Sequence, residues 1–183
     1  RDSLGAIPLG ALGQKFLLSE NIVERGTNLI FVISRGDVPY KSLPISRPKE
    51  KFPIFDDGTQ IIADPTGYER YNALTAWIET LDASMIVAAI RPLLPLFREA
   101  WSLYGENDDG FDMAVLLALE TVINTPEGPS GRLIRKEAVW IYENLNLESL
   151  PDIQKQIIRM GPRNAALIKQ KSLEFRSLWL EIL

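Results

Sequence analysis

Six aromatic and polar side chains near two predicted helix starts are the candidates for a binding site in this chain. They are Tyr68, Arg70 and Tyr71 at the first start, and Arg159, Arg163 and Asn164 at the second. Around Gly161-Pro162 the second helix begins, and its free backbone N–H groups favour an anion. Together the six side chains can form a polar groove for a peptide, a glycan or an acidic group. The competing interpretation, which we favour, is a structural hydrogen-bond cluster that holds helix ends, because buried polar groups are usually paired.

Two missing residue types exclude most catalytic chemistry. The 183 residues contain no Cys and no His. Zinc sites built on Cys and His, thiol redox motifs, cysteine nucleophiles and Ser-His-Asp arrangements therefore cannot form within one chain. We expect no cofactor, no metal site and no enzyme activity.

Paired carboxylates are the one catalytic device that needs neither imidazole nor thiol. The candidate acids are Glu69, Glu79, Glu99, Glu120 and Glu143. No local signature accompanies any of them, and solvated helix faces normally carry such residues. A carboxylate-dependent hydrolase or binder of cell-wall glycan is therefore the alternative function.

Composition indicates an ordinary globular domain. Hydrophobic residues make up 46% of the chain, charged residues make up 24%, and the net charge is −4. A chain of this length can bury a core without disulfides or metals, so we expect one domain over residues 1–183. No basic stripe is present, which argues against a nucleic-acid partner.

The pattern of prolines and apolar residues predicts a mainly α fold, an irregular helical bundle. Residues 1–37 form an N-terminal helical segment that starts again at Ser19, residues 38–65 a Pro-rich connector, and residues 66–183 the bundle. The connector cannot be helical, because proline removes a backbone donor and restricts its predecessor. Asp57-Gly58 lies between two apolar runs and predicts a hairpin. We expect at most this one small two-stranded ribbon.

Two segments stay ambiguous between helix and strand. Leu29–Ile33 is a short apolar run inside a helical pattern, and residues 132–142 fit either a short strand or a short helix. Periodicity alone does not separate a buried strand from a buried helix over so few residues.

Within the bundle, the sequence predicts helix caps and core positions. Asp82 is placed to cap a helix, and Leu94, Phe97, Trp101 and Tyr104 form a core stripe after the helix restarts at Pro95. The segment Phe111–Ile123 is apolar on nearly every side, which predicts a central helix surrounded by others. In the acidic loop before it, Asp108 or Asp109 fits a helix cap better than a calcium ligand, because the spacing of an EF-hand loop fails here.

Several motifs resemble one family. They are Tyr68-Glu69-Arg70-Tyr71, the run from Arg91-Pro92 to Ala100-Trp101, Asn124-Thr125-Pro126-Glu127, and Arg159-Met160-Gly161-Pro162-Arg163-Asn164-Ala165-Ala166. In order and spacing they resemble the Domain of Unknown Function 3014 family, over most of residues 19–175. The Arg-Met-Gly-Pro-x-Asn-Ala stretch is the most specific part.

The resemblance implies a place in the cell and no activity. Members look like bacterial envelope proteins with an N-terminal membrane anchor, a Pro-rich spacer and then this domain. It implies a periplasmic domain, tethered to the inner membrane through an anchor that this chain lacks. We therefore expect a non-catalytic interaction or scaffold domain with a protein partner in the cell envelope.

Overall fold

The fold is mainly helical, with two small antiparallel sheets. The structure is a computed structural model, and it describes residues 21–43, 50–104, 110–128 and 131–183. The expected helical turns before Ser19, the Ser19 cap and the caps proposed at Asp108 and Asp109 lie outside these ranges. The predicted fold class is confirmed.

The first described helix, α1, spans Ile22–Ser34 and is apolar over most of its surface. It settles one ambiguous segment, because Leu29–Ile33 is helical. The helix ends where Gly36 takes a φ of +85°, a conformation that disfavours any side chain. A Cβ added at Gly26 would lie 2.8 Å from the ring of Phe97, so this glycine permits the close approach of α1 to the helix that carries Phe97.

The predicted hairpin is confirmed. Strands β1 (Ile54–Asp56) and β2 (Ile61–Ala63) pair antiparallel, with Phe55 opposite Ile62. The turn is held by the carboxylate of Asp57, whose Oδ1 accepts hydrogen bonds from the backbone N–H groups of Thr59 at 2.8 Å and Gln60 at 2.9 Å. Such side-chain acceptors are why Asp favours turns.

The helical bundle, which was expected over residues 66–183, begins with a 3-10 helix. The 3-10 helix Pro65–Tyr71 is followed by α2, Asn72–Glu79. Asp82 caps α3 (Ala83–Ile90) by accepting a 3.0 Å hydrogen bond from the backbone N–H of Met85, as predicted. After a 3-10 turn at Arg91–Leu93, helix α4 restarts at Leu94–Ser102 with Pro95 in its first turn.

The central helix is less enclosed than its composition predicts. Helix α5 spans Gly110–Ile123 and packs against α1 and α4, and later against two C-terminal helices. However, Met113 is 64% exposed and Leu117 is 54% exposed. One apolar stripe of α5 therefore faces outward, because no other described element packs over that side.

The second ambiguous segment forms a second ribbon, one more than we expected. Strands β3 (Leu133–Lys136) and β4 (Val139–Tyr142) pair antiparallel, with Arg135 opposite Trp140. Glu137 makes the tight turn with a φ of +53°. The paired positions Leu133 and Tyr142 are buried at one end of the ribbon, whereas Ile134, Arg135 and Lys136 are exposed. Burial does not alternate along these strands, so a short window of sequence could not separate them from a helix.

Three helices complete the chain. They are α6 (Leu145–Glu148), α7 (Asp152–Arg159) and the long α8 (Pro162–Leu180), which starts at Pro162 as predicted. Helix α8 packs against α2, α3, α5 and α7 and so connects most of the bundle.

An aromatic core lies between α1, α4, α5 and the end of α8. Phe111 lies at its middle, with ring centroids 5.4 Å from Phe97, 5.9 Å from Trp101 and 6.2 Å from Trp179. Stacked and edge-to-face pairs of this kind add to the free energy gained from burial. The predicted core positions Leu94, Phe97 and Trp101 are all buried here.

Within the described residues, no single helix has both the length and the apolar character needed to cross a membrane. A bent pair, Pro65–Glu79 with Ala83–Ser102, meets the test only when both parts are taken together, across a 65° bend.

Candidate functional site

Asn164 lies in a closed polar cluster rather than in a groove. Its side chain is buried at 5% exposure. The amide Nδ2 donates to the carbonyl oxygens of Met160 at 2.9 Å and Tyr68 at 3.1 Å, and Oδ1 accepts from the hydroxyl of Thr75 at 2.8 Å. We call these four residues, together with Asn72, the Asn164 knot. It ties α8 to α2 and to the preceding 3-10 helix, so it serves the structural role.

Tyr68 is fixed by the chain turn that begins α8. Gly161 has φ 89° and ψ 159°, a region of backbone space open essentially only to glycine. A Cβ at this position would lie 2.5 Å from the ring of Tyr68. The aromatic ring therefore occupies the space beside the helix start, and the knot is packed as well as hydrogen bonded.

The other candidate side chains do not join the knot. Arg163 is exposed. Tyr71 accepts a 3.1 Å hydrogen bond at its hydroxyl from Gln156, and Arg70 donates to the carbonyl of Lys51 at 3.3 Å. The anion site that we considered at Gly161–Asn164 therefore lacks the convergence of Arg159, Arg163 and Asn164 that it requires.

A large apolar cleft lies beside the knot, and Arg70, Tyr71 and Arg159 all line it. Its volume is about 1080 Å³. That is at the upper end of the range for pockets that bury drug-sized ligands, roughly 300–1,000 Å³. We call this space the cleft. Three of the six predicted site residues therefore line the cleft, whereas Tyr68, Arg163 and Asn164 do not.

The walls of the cleft are helices that do not close on one another. One wall is α1, through Ile22, Leu29 and Ile33; the other is α2 and α3, through Leu74, Ile78 and Ile86. Each wall packs on α5 or α8, but α1 makes no extensive contact with α2 or α3. Several inward side chains, including Leu29, Ile78 and Ile86, therefore remain partly exposed.

The floor of the cleft comes from α5, α7 and α8. Val115 and Ala118 line it from α5, Ile157 from α7, and Ile168 and Phe175 from α8. The spacing of seven between Ile168 and Phe175 keeps both on one face of α8. The sequence analysis placed Val115 and Ala118 in an enclosed central helix, because a cavity wall and a packed core require the same apolar spacing.

Arg159 holds a distinctive position at the edge of the cleft. Its Nη2 donates to the carbonyl of Trp140 at 2.9 Å, and its guanidinium carbon lies 5.5 Å from the ring centroid of Phe52 and 5.3 Å from that of Tyr142. Burial raises the pKa of Tyr142, and the nearby positive charge of Arg159 opposes that rise. The Nε of Arg159 is buried without a hydrogen-bond partner among the residues the structure describes.

The carboxylate alternative is not favoured by the geometry. Glu69, Glu79, Glu99, Glu120 and Glu143 are all exposed. The carboxyl pKa values that clearly depart from their usual range are lowered: the Thr59 hydroxyl and backbone lower the pKa of Asp57 to about 2, and the backbone N–H groups of Thr66 and Met85 lower those of Asp64 and Asp82. A general acid requires the opposite direction. Across the described ranges, no cluster of three acidic side chains forms a metal site.

Comparison with known proteins identifies a family of unknown function. The sequence model of the family described as "Protein of unknown function (DUF3014)" matches residues 22–176. No curated protein and no solved structure matches the chain.

Proposed function

This chain belongs to the DUF3014 family of proteins of unknown function, and from that premise we propose that it is a non-catalytic binding domain that takes an apolar ligand into the cleft. The observation that carries the proposal is the cleft itself, at about 1080 Å³ between α1 and the α2–α3 pair. An empty apolar space of this size costs the folded state packing free energy, because its lining atoms lack partners. A ligand of the same character restores those contacts.

The lining supports an elongated apolar group as the occupant. Aliphatic side chains dominate all three sides, and burying each methylene of a ligand contributes about 0.8 kcal/mol. The described part of the chain offers no paired carboxylates in the cleft, since Glu50 is its only acidic lining residue. Binding without turnover is the role that this lining supports.

The test is a titration of the full chain with N-phenyl-1-naphthylamine, an uncharged dye that fluoresces in apolar surroundings. We expect saturable binding, and we expect Ala118→Phe, which fills the floor of the cleft, to weaken it about tenfold or more. The matched control is Ala73→Phe on the exposed side of α2, which should bind like the parent chain. Absence of binding, or equal binding by both variants, would show that the cleft is not the site.

A second candidate function, contact with a protein partner, is favoured by a separate surface. Ion pairs join Glu127 to Lys169 and Glu120 to Arg176, each at 3.0 Å, so α5 and α8 run antiparallel in register. One turn further along, the exposed side chains Met113 and Leu117 come level with Leu180. We call these three residues the outer stripe.

The partner we propose is a protein of the cell envelope, and the test is crosslinking in native cells. Leu117→Glu places a charge on the outer stripe without touching the core, so it should abolish a specific adduct. Glu99→Lys, on an exposed part of α4, should retain the adduct. Adducts that survive Leu117→Glu unchanged would remove the outer stripe from consideration.

We also propose that the domain lies in the periplasm, tethered to the inner membrane. The family resemblance supports this proposal. Protease treatment of spheroplasts that carry the full-length protein should digest the domain while leaving cytoplasmic markers intact. Protection equal to that of the cytoplasmic markers would contradict the location.

A further inference from the structure

Four basic side chains gather at one end of the cleft. They are Lys51, Arg70, Arg135 and Arg159, which we call the cationic mouth. Among the described residues, the two other charged ones that line the cleft are Glu50 and Lys171, so this part of the lining carries five positive charges and one negative charge. The whole chain has the opposite balance, with 20 basic and 24 acidic residues.

The contacts of the backbone hold these four residues together. Arg70 donates to the carbonyl of Lys51, and the next residue, Phe52, lies under the guanidinium of Arg159. Arg159 donates in turn to the carbonyl of Trp140, whose partner across the β3–β4 ribbon is Arg135. The connector, the 3-10 helix, the ribbon and α7 therefore bring the charges to one place.

None of the four cations has an acidic partner among the described residues. The salt bridges of that part of the chain use Arg98, Lys155, Lys169, Lys171 and Arg176 instead. Cations without carboxylate partners favour an anion beside them, and hydrogen bonds to a charged group are stronger than neutral ones.

We propose that the ligand of the cleft is a single-chain amphiphile with an anionic head, its chain among the apolar walls and its head at the cationic mouth. This assignment rests on the proposed function and specifies its ligand class. The head must remain at the mouth because an ion in the apolar interior would lose several kcal/mol of hydration. Arginine suits the role, since its planar guanidinium binds carboxylate and phosphate oxygens in pairs.

The test compares three ligands that share one chain and differ in the charge of a small head: dodecanoate, dodecanol and dodecylammonium. Each is used below its aggregation limit at neutral pH to displace N-phenyl-1-naphthylamine from the full chain. We expect dodecanoate to bind about tenfold more tightly than dodecanol, which corresponds to about 1.4 kcal/mol, and dodecylammonium to bind most weakly. The preference for dodecanoate should shrink as salt is added, because the mouth is open to water.

Variants then assign the preference to the mouth. Arg159→Gln should reduce the preference for dodecanoate over dodecanol to about threefold or less. Because Arg159→Gln also removes a bond to Trp140, Arg135→Gln provides a second test on an exposed strand position. Arg163→Gln, an exposed arginine outside the cleft, is the matched control and should keep the full preference.

The outcomes separate this proposal from the one on which it rests. If the dye binds and Ala118→Phe weakens it, but the three heads bind equally, the anionic head is wrong and the apolar site stands. If the head preference persists in both Arg159→Gln and Arg135→Gln, the mouth is wrong. If neither dye nor ligands bind the full chain, both proposals fall.

Discussion

Helix α8 borders two regions that differ in how completely they are filled. At its start, the Asn164 knot leaves no polar atom of the Asn164 amide unpaired, and Tyr68 occupies the space beside Gly161. Along its middle, Ile168 and Phe175 face the cleft of about 1080 Å³. One helix thus belongs both to a fully hydrogen-bonded junction and to the wall of the cleft.

Buried surface therefore serves two purposes in this domain: it joins helices at the knot, and it lines an open apolar site at the cleft. The knot joins α8 to α2, and α2 is part of one wall of the cleft. The apolar walls can then stay apart, because their helices are each supported by α5 or α8. A rigid polar junction that supports an open apolar site is the arrangement that a binding domain requires.

The largest effect should come from breaking the knot. We expect Asn164→Leu to lower the free energy of unfolding by about 3 kcal/mol, because it removes the amide donor from the buried carbonyl oxygens of Met160 and Tyr68. The Thr75 hydroxyl can still donate to the carbonyl of Tyr71 at 3.2 Å. Urea denaturation measures the change. Arg163→Ala, next in the chain and exposed, should stay within about 0.5 kcal/mol of the parent. Equal losses for the two variants would mean that the knot contributes nothing special.

The packing beside Gly161 provides a second, smaller test. We expect Gly161→Ala to cost about 2–3 kcal/mol, since it combines a glycine-only backbone conformation with a clash against Tyr68. Gly58 has a similar φ of +84° and no atom within 4 Å of an added Cβ. Gly58→Ala should therefore cost only about 1 kcal/mol, the conformational part. Thermal unfolding of the two variants compares these costs, and a Gly161→Ala loss no larger than that of Gly58→Ala would contradict the close packing.

Replacing one alanine in the aromatic core and one alanine at the cleft by a larger residue tests how the two regions are packed. Ala114 lies in the aromatic core, and Ala118, one turn later on α5, lines the cleft. Ala114→Phe should lose about 2 kcal/mol by overpacking. Ala118 is also buried, at 3% exposure, but Ala118→Phe should lose less than Ala114→Phe, because part of the larger ring can enter the cleft. Equal destabilisation, measured by urea denaturation, would mean that the cleft is closed in solution.

The smallest effect concerns a turn outside both regions. The hydrogen bonds of Thr59 and Gln60 hold the pKa of Asp57 at about 2, below the ordinary 3.8. Because the folded pKa is the lower one, the carboxylate stabilises the fold above about pH 4, and this contribution is lost as the pH falls toward 2. Carboxyl NMR should give a titration midpoint near 2 for Asp57. A midpoint near 3.8 would show that the turn is not formed as described.

Much of the fold was predictable because its signals are local. Asp57-Gly58, the Asp82 cap, Pro162 and the stripe through Phe97 each act within one turn or hairpin, and each is where it was expected. The second ribbon and the outward side of α5 were not predicted. Both depend on what packs against a short apolar segment, and a single window of sequence does not contain that information.

The candidate site was half predictable for a different reason. Polar residues attract attention in a sequence, and Arg70, Tyr71 and Arg159 do line the cleft. Asn164 and Tyr68 were candidates for the same reason, although both belong to the Asn164 knot and not to the cleft. The apolar wall residues went unnoticed, since Ile78 or Ile168 has the same spacing whether it faces another side chain or a cavity. Only the distance between α1 and the α2–α3 pair distinguishes these two cases.

The most direct test of the cleft uses methyl NMR of the full chain with dodecanoate that carries a nitroxide near the end of its chain. Val115 lines the cleft, whereas Met113, two residues earlier on α5, is exposed on the outer stripe. We expect the nitroxide to broaden the methyl signals of Val115, Ile78 and Ile168 more strongly than that of Met113, because the broadening falls steeply with distance. Broadening of Met113 with Val115 unaffected, or contacts from residues 1–20 filling the cleft in place of the ligand, would contradict the account.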